Sequence, residues 1–179
     1  IRFLIQQSTL RKSELKSEDV ETLTAAIKDA DTTENKAINK IEVLGYASPD
    51  GGQDLNEKLA DARQTKTQEY LQKQLKKAEV DASIISDVTA EDWEGFQKVL
   101  EASNIQDKEL VLRVLSMYTD PEEREAQIKN LSTVFKAIAD DVLPALRRSR
   151  LVLTTDLIGK SDDEISALAK NDPAALNVE

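Results

Sequence analysis

The sequence predicts an α/β protein: a four-stranded mixed sheet with helices on one face, and a helical insertion before the last strand. Three observations indicate this class. Residues 41–70 have the pattern of a strand, a Gly-rich turn and a helix. Alternating apolar residues indicate further strands at residues 1–7 and 80–88. Residues 89–146 have helical periodicity and precede a last strand. Strands that alternate with helices favour one layered sheet with right-handed crossovers.

The first predicted strand is Ile1–Gln7, and a helix follows it. Ser17 is placed to cap this helix, and the acidic Glu18 and Asp19 suit the positive end of the helix dipole. The polar run 31–35 ends the helix. The apolar positions of the helix are Val20, Leu23, Ile27 and Ala30.

The second predicted strand, Lys40–Ala47, ends where Ser-Pro-Asp-Gly-Gly at 48–52 forces a turn. A helix over Asp54–Ala78 follows at once, and Asp54 and Glu57 have the spacing of a capping pair. The third strand is Val80–Val88 and the fourth is Leu151–Ile158. The predicted core is therefore β-α-β-α-β plus one later strand.

The insertion at 89–146 is predicted to form three helices. Thr89 and Asp92 give a cap signal for the first, apolar residues mark the second near 110–115, and Asp120-Pro121 opens the third. Four of the chain's seven aromatic residues lie here, which favours a small satellite core, with an exposed partner-binding surface as the alternative. These aromatic residues are Trp93, Phe96, Tyr118 and Phe135.

After the last strand, Ser161 to Glu164 form a capping box, and Pro173 ends that helix and opens another at Ala174. We expect a domain over 1–158 that contains the insertion, and a helical extension or linker towards further domains over 159–179. The start at Ile1 suggests a fragment of a longer chain.

Composition excludes several classes. The 24 basic and 34 acidic residues give a net charge of −10, which argues against a nucleic-acid partner. Arg147, Arg148 and Arg150 are the one dense basic patch, and we expect them to lead into the last strand and point to solvent. No apolar run approaches the ~20 residues that span a bilayer.

The chain contains no Cys and no His, which removes thiolate nucleophiles, imidazole bases and the common zinc sites. Gly51-Gly52 lacks the further residues of a phosphate-binding loop. No pair of carboxylates stands out for acid–base work, so a carboxylate-based hydrolase is disfavoured. We therefore expect no enzymatic activity, no metal and no cofactor.

Within this frame, GYASPDGG...N...L...R resembles the peptidoglycan-associating C-terminal domain family of outer membrane protein A (OmpA), whose pattern is G-[HY]-T-D-x-x-G-x(4)-N-x-x-L-S-x-x-R-A. The opening strand at 1–7 and the segment 147–158 are also similar to that family, whereas the middle of the chain is unlike it. The matching positions are Gly45, Tyr46, Gly51, Asn56, Leu59 and Arg63.

The resemblance implies an OmpA-like fold and a non-enzymatic periplasmic domain that associates non-covalently with peptidoglycan and anchors an outer-membrane protein to the cell wall. It also implies a ligand, the peptidoglycan stem peptide, whose carboxylate Arg63 would clamp. In the family an aspartate of the T-D pair receives the ligand's ammonium, but here Ala47-Ser48 stands at that place. Asp50 is then either the substitute acceptor or a turn residue. The site residues so implied are Ser48, Asp50, Gly51, Gly52, Asn56 and Arg63.

Two of these residues have other interpretations. Arg63 could instead pair on the helix surface with Glu57, Asp61 or Asp50, and Asn56 is better explained as a brace of the turn than as a ligand contact. The alternative function is a protein–protein interaction scaffold that has lost peptidoglycan binding and contacts envelope proteins through the helical insertion. The missing aspartate at position 48 favours that alternative.

Overall fold

A three-stranded mixed sheet lies at the centre of the computed structural model, which describes residues 1–173 and Leu176, the side chains of residues 132 and 133 excepted. The strands are β1 (Lys36–Tyr46), β2 (Ile84–Thr89) and β3 (Ser149–Leu157). Their order is β2-β1-β3, so the longest strand is central. β2 runs parallel to β1 and β3 runs antiparallel to it.

The helices flank this sheet and fill the interval between β2 and β3. They are α1 (Lys12–Leu15), α2 (Glu18–Thr32), α3 (Gln53–Ala78), α4 (Trp93–Ala102), α5 (Lys108–Met117), α6 (Pro121–Asn130), α7 (Ser132–Asp141), α8 (Leu143–Leu146) and α9 (Asp162–Asn171). None of the helices in the described part of the chain combines the length and the apolar character needed to span a membrane.

Alternation along β1 creates the buried face of the sheet. Ile41 and Val43 are fully buried, and β2 and β3 place Ile84 and Leu151 beside them in register. Helices α2 and α3 cover this face with apolar residues. Those residues include Leu23, Ile27, Leu71 and Leu75.

Gly45 determines how closely α3 approaches the sheet. A Cβ atom at this position would lie 2.2 Å from the Ala60 carbonyl oxygen and 2.7 Å from Gln64 Cβ. Only a residue without a side chain fits there. The start of α3 is therefore held directly against the end of β1, next to the turn at 47–52.

The prediction of a fourth strand at Ile1–Gln7 is wrong, because only Arg2 forms a bridge, with Arg148. Phe3 N–H donates to the Arg147 carbonyl at 2.7 Å, but the chain then turns, with Gln7 N–H donating to the Leu4 carbonyl at 3.1 Å. Gln6 takes a left-handed conformation, with φ of 51°, in this turn. The backbone pairing of the N-terminal segment with residues 147–149 stops after Phe3. The observed sheet therefore has three strands and not the four expected.

Several element boundaries also differ from the sequence predictions. β1 begins at Lys36 and not at Lys40, and β3 begins at Ser149 and not at Leu151. The third strand begins at Ile84 and not at Val80, because the left-handed Glu79 ends α3 and Val80 N–H bonds the Leu75 carbonyl. At the other end of α3, Gly52 is the N-cap and no side chain caps the helix. The predicted capping role of Asp54 and Glu57 is therefore wrong.

The insertion is entirely helical in its regular structure, as predicted, but the expected third helix is divided at Leu131 and followed by the short α8. Asp92 and Asp120 cap α4 and α6 as the sequence indicated. Phe96 is buried in a hydrophobic cluster formed by residues of the insertion. Trp93 packs edge-on against Phe96, with 5.6 Å between the ring centroids. The insertion thus has a core distinct from the core beneath the sheet.

After β3 the chain forms α9, which starts with the predicted capping box between Ser161 and Glu164. No residue of α9 is buried. The further helix predicted from Ala174 lies outside the described residues.

Candidate functional site

The candidate site is the turn at residues 47–52, where β1 ends and α3 begins. Backbone bonds tie this turn to β2 and to the start of the insertion. Ala47 N–H donates to the Thr89 carbonyl at 3.1 Å, and Asp92 N–H donates to the Ala47 carbonyl at 3.3 Å. The turn is therefore fixed at the end of two parallel strands, the edge of an α/β sheet where ligand sites commonly lie.

Ser48 and Asp50 lie together on this turn. The Ser48 hydroxyl donates to Asp50 Oδ1, and Ser48 is only 5% exposed. Arg147 reaches both residues: its Nε donates to Ser48 Oγ at 3.3 Å and its Nη2 donates to Asp50 Oδ2 at 3.1 Å. The carboxylate of Asp50 is thus already paired with a cation of the same chain.

The other turn residues have structural partners. Asn56, which is buried, donates from Nδ2 to the Gly51 carbonyl at 2.8 Å, as expected for a brace. A Cβ atom on Gly51 would lie 3.2 Å from Asn56 Oδ1, so the two residues are in close contact. Gly52 is the exposed N-cap of α3. These three residues fix the shape of the turn.

Arg63 projects from α3 into the protein and is only 1% exposed. Its Nε donates to the Gln7 carbonyl at 3.0 Å and its Nη1 to the Tyr46 carbonyl at 2.8 Å. A longer contact of 3.5 Å joins Nη2 to the Leu4 carbonyl. The guanidinium also lies 5.4 Å from the ring centroid of Phe3.

This geometry corrects the surface interpretation of Arg63. No salt bridge joins Arg63 to Glu57, Asp61 or Asp50 in the described residues. The side chain instead holds the N-terminal segment against the end of β1 through backbone carbonyls.

The electrostatic surroundings of Arg63 are positive. Burial lowers the pKa of the Arg63 guanidinium to about 10, the neighbouring charge of Arg147 contributes to the lowering, and Asp50 partly offsets the shift. Arg63 therefore stays charged at neutral pH. Arg63 and Arg147 both lie near the carboxylate of Asp50, although only Arg147 bonds to it, so the cluster has an excess of positive charge.

The insertion covers the outer side of the turn. Pro49 and Asp50 face Trp93, Phe96 and Phe135 across a cavity of about 10 Å³. A cavity of that size holds at most about one water molecule. An amino-acid group of a ligand does not fit between the turn and the insertion unless the two separate.

Arg147 is the site residue that sequence reasoning missed. The expectation that Arg147, Arg148 and Arg150 point to solvent holds only for Arg150, which is exposed. Arg147 is 8% exposed and turns towards Asp50. The available signal was the position of the arginines, directly after the apolar residues 142–146, which place the start of β3 at the buried junction of the insertion and the sheet.

Arg148 has a parallel role on the other side of β1. Its Nη2 donates to Asp92 Oδ2 at 2.7 Å, and its guanidinium lies 4.8 Å from the ring centroid of Tyr46. Its backbone carbonyl accepts from Tyr46 N–H at 2.9 Å. Adjacent arginines therefore bind the insertion to both the turn and the end of β1.

The polar groups of the turn bond to one another and to Arg147. The described residues contain no group of three acidic side chains placed to hold a metal ion. The hydroxyl and carboxylate of the turn are both engaged by Arg147, which leaves no free base beside Ser48. The chemistry available is recognition of a cation by Asp50, provided that Arg147 is displaced.

Comparison with known proteins identifies no relative. The chain matches no protein-family model, no curated protein and no solved structure.

Proposed function

We propose that the chain is a non-enzymatic interaction domain of the periplasm, associated with the outer membrane, in which an OmpA-like core no longer binds peptidoglycan. The observation that carries this proposal is the state of the turn: Arg147 occupies the carboxylate of Asp50, and Arg63 is buried on backbone carbonyls. Neither group that the family resemblance assigns to the stem peptide is free to bind it.

The insertion offers a surface for partner proteins. Leu110 is 44% exposed and Met117 is 66% exposed, although both belong to α5 of the insertion. They are seven positions apart, two helical turns, and therefore lie on one side of the helix. Two exposed apolar residues, one of them a flexible methionine, suit an amphipathic helix of an envelope protein.

A pull-down with purified peptidoglycan sacculi tests the loss of wall binding. We expect the wild-type chain to stay in the supernatant, and its retention on the sacculi would contradict the proposal. The partner surface is tested by cross-linking in periplasmic extract. The double variant Leu110→Ser/Met117→Ser should lose the cross-linked species, whereas the exposed control Glu109→Ser should keep it.

Capture of the stem peptide is a second candidate, and one observation favours it. The carboxylate of Asp50 reaches the Ser48 hydroxyl, so a negative charge stands beside the position where the family has its aspartate. In this case wild type should bind sacculi, Ser48→Asp should strengthen retention, and Asp50→Asn should weaken it. Unchanged retention in both variants would exclude use of this turn.

A further inference from the structure

The contact between Arg147 and the turn has the geometry of a bound ligand. The guanidinium presents two donors on one edge, Nε to Ser48 Oγ at 3.3 Å and Nη2 to Asp50 Oδ2 at 3.1 Å. The Ser48 hydroxyl in turn donates to the other oxygen of Asp50. The turn therefore recognises the planar fork of a guanidinium and not only its charge.

The ligand and its receptor come from distant parts of the sequence. Arg147 and Asp50 are 97 positions apart, and Arg147 lies between α8 and β3 at the end of the insertion. Any displacement of that junction would withdraw the guanidinium from the turn. The side chains of Arg147 and Asp50 are 10% and 17% exposed, so the site borders on solvent.

We propose that the Ser48–Asp50 turn is a binding site for a guanidinium group, and that Arg147 is a tethered ligand that fills it from within the chain. The charges agree with this assignment. In the described part of the chain only Arg147 forms an ion pair with Asp50, because Arg63 is held on backbone carbonyls. Removal of the Arg147 side chain therefore leaves Asp50 Oδ2 and Ser48 Oγ without that donor. An arginine side chain of a partner is the ligand that such a position would take.

The tether predicts that free ligand competes poorly in the wild type. A ligand joined to its site within the same folded chain acts at a high effective concentration, in the millimolar range or above. Free methylguanidinium in the millimolar range therefore displaces Arg147 only weakly. Removal of the Arg147 side chain removes the competitor and exposes the site.

The test is chemical rescue of Arg147→Ala by methylguanidinium chloride, with sodium chloride used to hold ionic strength constant. We measure the folding equilibrium constant by denaturant unfolding. The constant should rise about tenfold when the probe is at about ten times its dissociation constant. Amide chemical shifts of residues 48–52 should move over the same range of concentration. Tens of millimolar probe is far below the molar concentrations at which guanidinium denatures.

Three controls define the outcome. Methylguanidinium should not raise the folding equilibrium constant of the wild type. It should also not raise that of Arg150→Ala, which lacks an exposed arginine of the same patch, or that of Asp50→Asn/Arg147→Ala. Absence of rescue in Arg147→Ala, or equal rescue of the double variant, overturns the proposal. If Arg147→Ala does not fold alone, a cooperative transition that returns only with methylguanidinium supports the proposal, and failure to return overturns it.

This outcome is independent of the proposed function. The probe is a free cation, so the rescue can succeed or fail whether or not the chain binds sacculi.

Discussion

Arg148 and Asp92 join the two ends of the helical insertion through an ion pair of 2.7 Å. Asp92 precedes α4 and Arg148 follows α8, so the pair closes the insertion at its base. Asp92 also accepts from Gly95 N–H at 2.9 Å and so caps α4. The Asp92 carboxylate thus caps the first helix of the insertion and also forms an ion pair with the residue that follows its last helices.

Replacement of Asp92 should be costly for that reason. Asp92→Ala removes the cap and leaves the partly buried Arg148 without its partner, and we expect a loss of about 2 to 4 kcal/mol in the free energy of unfolding. Asp120→Ala is the matched control, because Asp120 caps α6 in the same way at an exposed position. It should lose about 1 kcal/mol. Equal losses, measured by denaturant unfolding, would mean that the ion pair contributes nothing.

Arg63 should be a structural residue. Arg63→Met keeps most of the volume but leaves the carbonyls of Gln7 and Tyr46 without their donor, and we expect a loss of about 3 kcal/mol or more. Arg113→Met, at an exposed position of α5, should change stability by less than about 0.5 kcal/mol. A fully stable Arg63→Met protein would favour a role for this residue as a ligand clamp.

Gly45 should not tolerate a side chain. In Gly45→Ala the new methyl group would meet the Ala60 carbonyl oxygen at 2.2 Å, so α3 must move away from β1. We expect destabilisation of about 2 kcal/mol or more. At Gly159 no atom lies within 4 Å of the place that a Cβ atom would take, so Gly159→Ala should be neutral. Thermal unfolding of the two variants checks the comparison.

The insertion should unfold together with the sheet. Trp93→Ala and Phe135→Ala remove aromatic rings that pack on the insertion core, and we expect each to cost up to about 3 kcal/mol. Because Arg147 and Arg148 bind the insertion to the turn and to Asp92, the loss should appear in one cooperative transition. A separate early phase in calorimetry would identify the insertion as an independent unit.

Helix α9 should weaken in acid. Hydrogen bonds from the Ser161 backbone and hydroxyl lower the pKa of Glu164 from its usual value of 4.5. The stabilisation of α9 by the ionised Glu164 side chain is therefore present above pH 4.5 and is lost as the pH falls through the lowered pKa. An NMR titration of Glu164 should give this lowered pKa. Ser161→Ala should return it part of the way, whereas Ser166→Ala should leave it unchanged.

Local patterns predicted the elements whose structure depends on near neighbours. The centre of β1, the course of α3 and the caps at Asp92, Asp120 and Ser161 follow from alternation, helical period and residues three positions apart. The helix and its caps form through contacts within a few residues, and alternation marks which residues of β1 face the core, although the partners of β1 are distant strands.

The sequence by itself thus determined that this protein is a mixed α/β chain with a turn between β1 and α3 and a helical insertion. Tertiary structure decided how far the N-terminal segment pairs and what the turn can bind. Arg63 bonds to carbonyls up to 59 positions away, and Arg147 meets a carboxylate 97 positions away. The partner of a buried charge depends on which distant segments fold against it, because an arginine is satisfied equally by carbonyls, by a carboxylate of the chain or by a ligand.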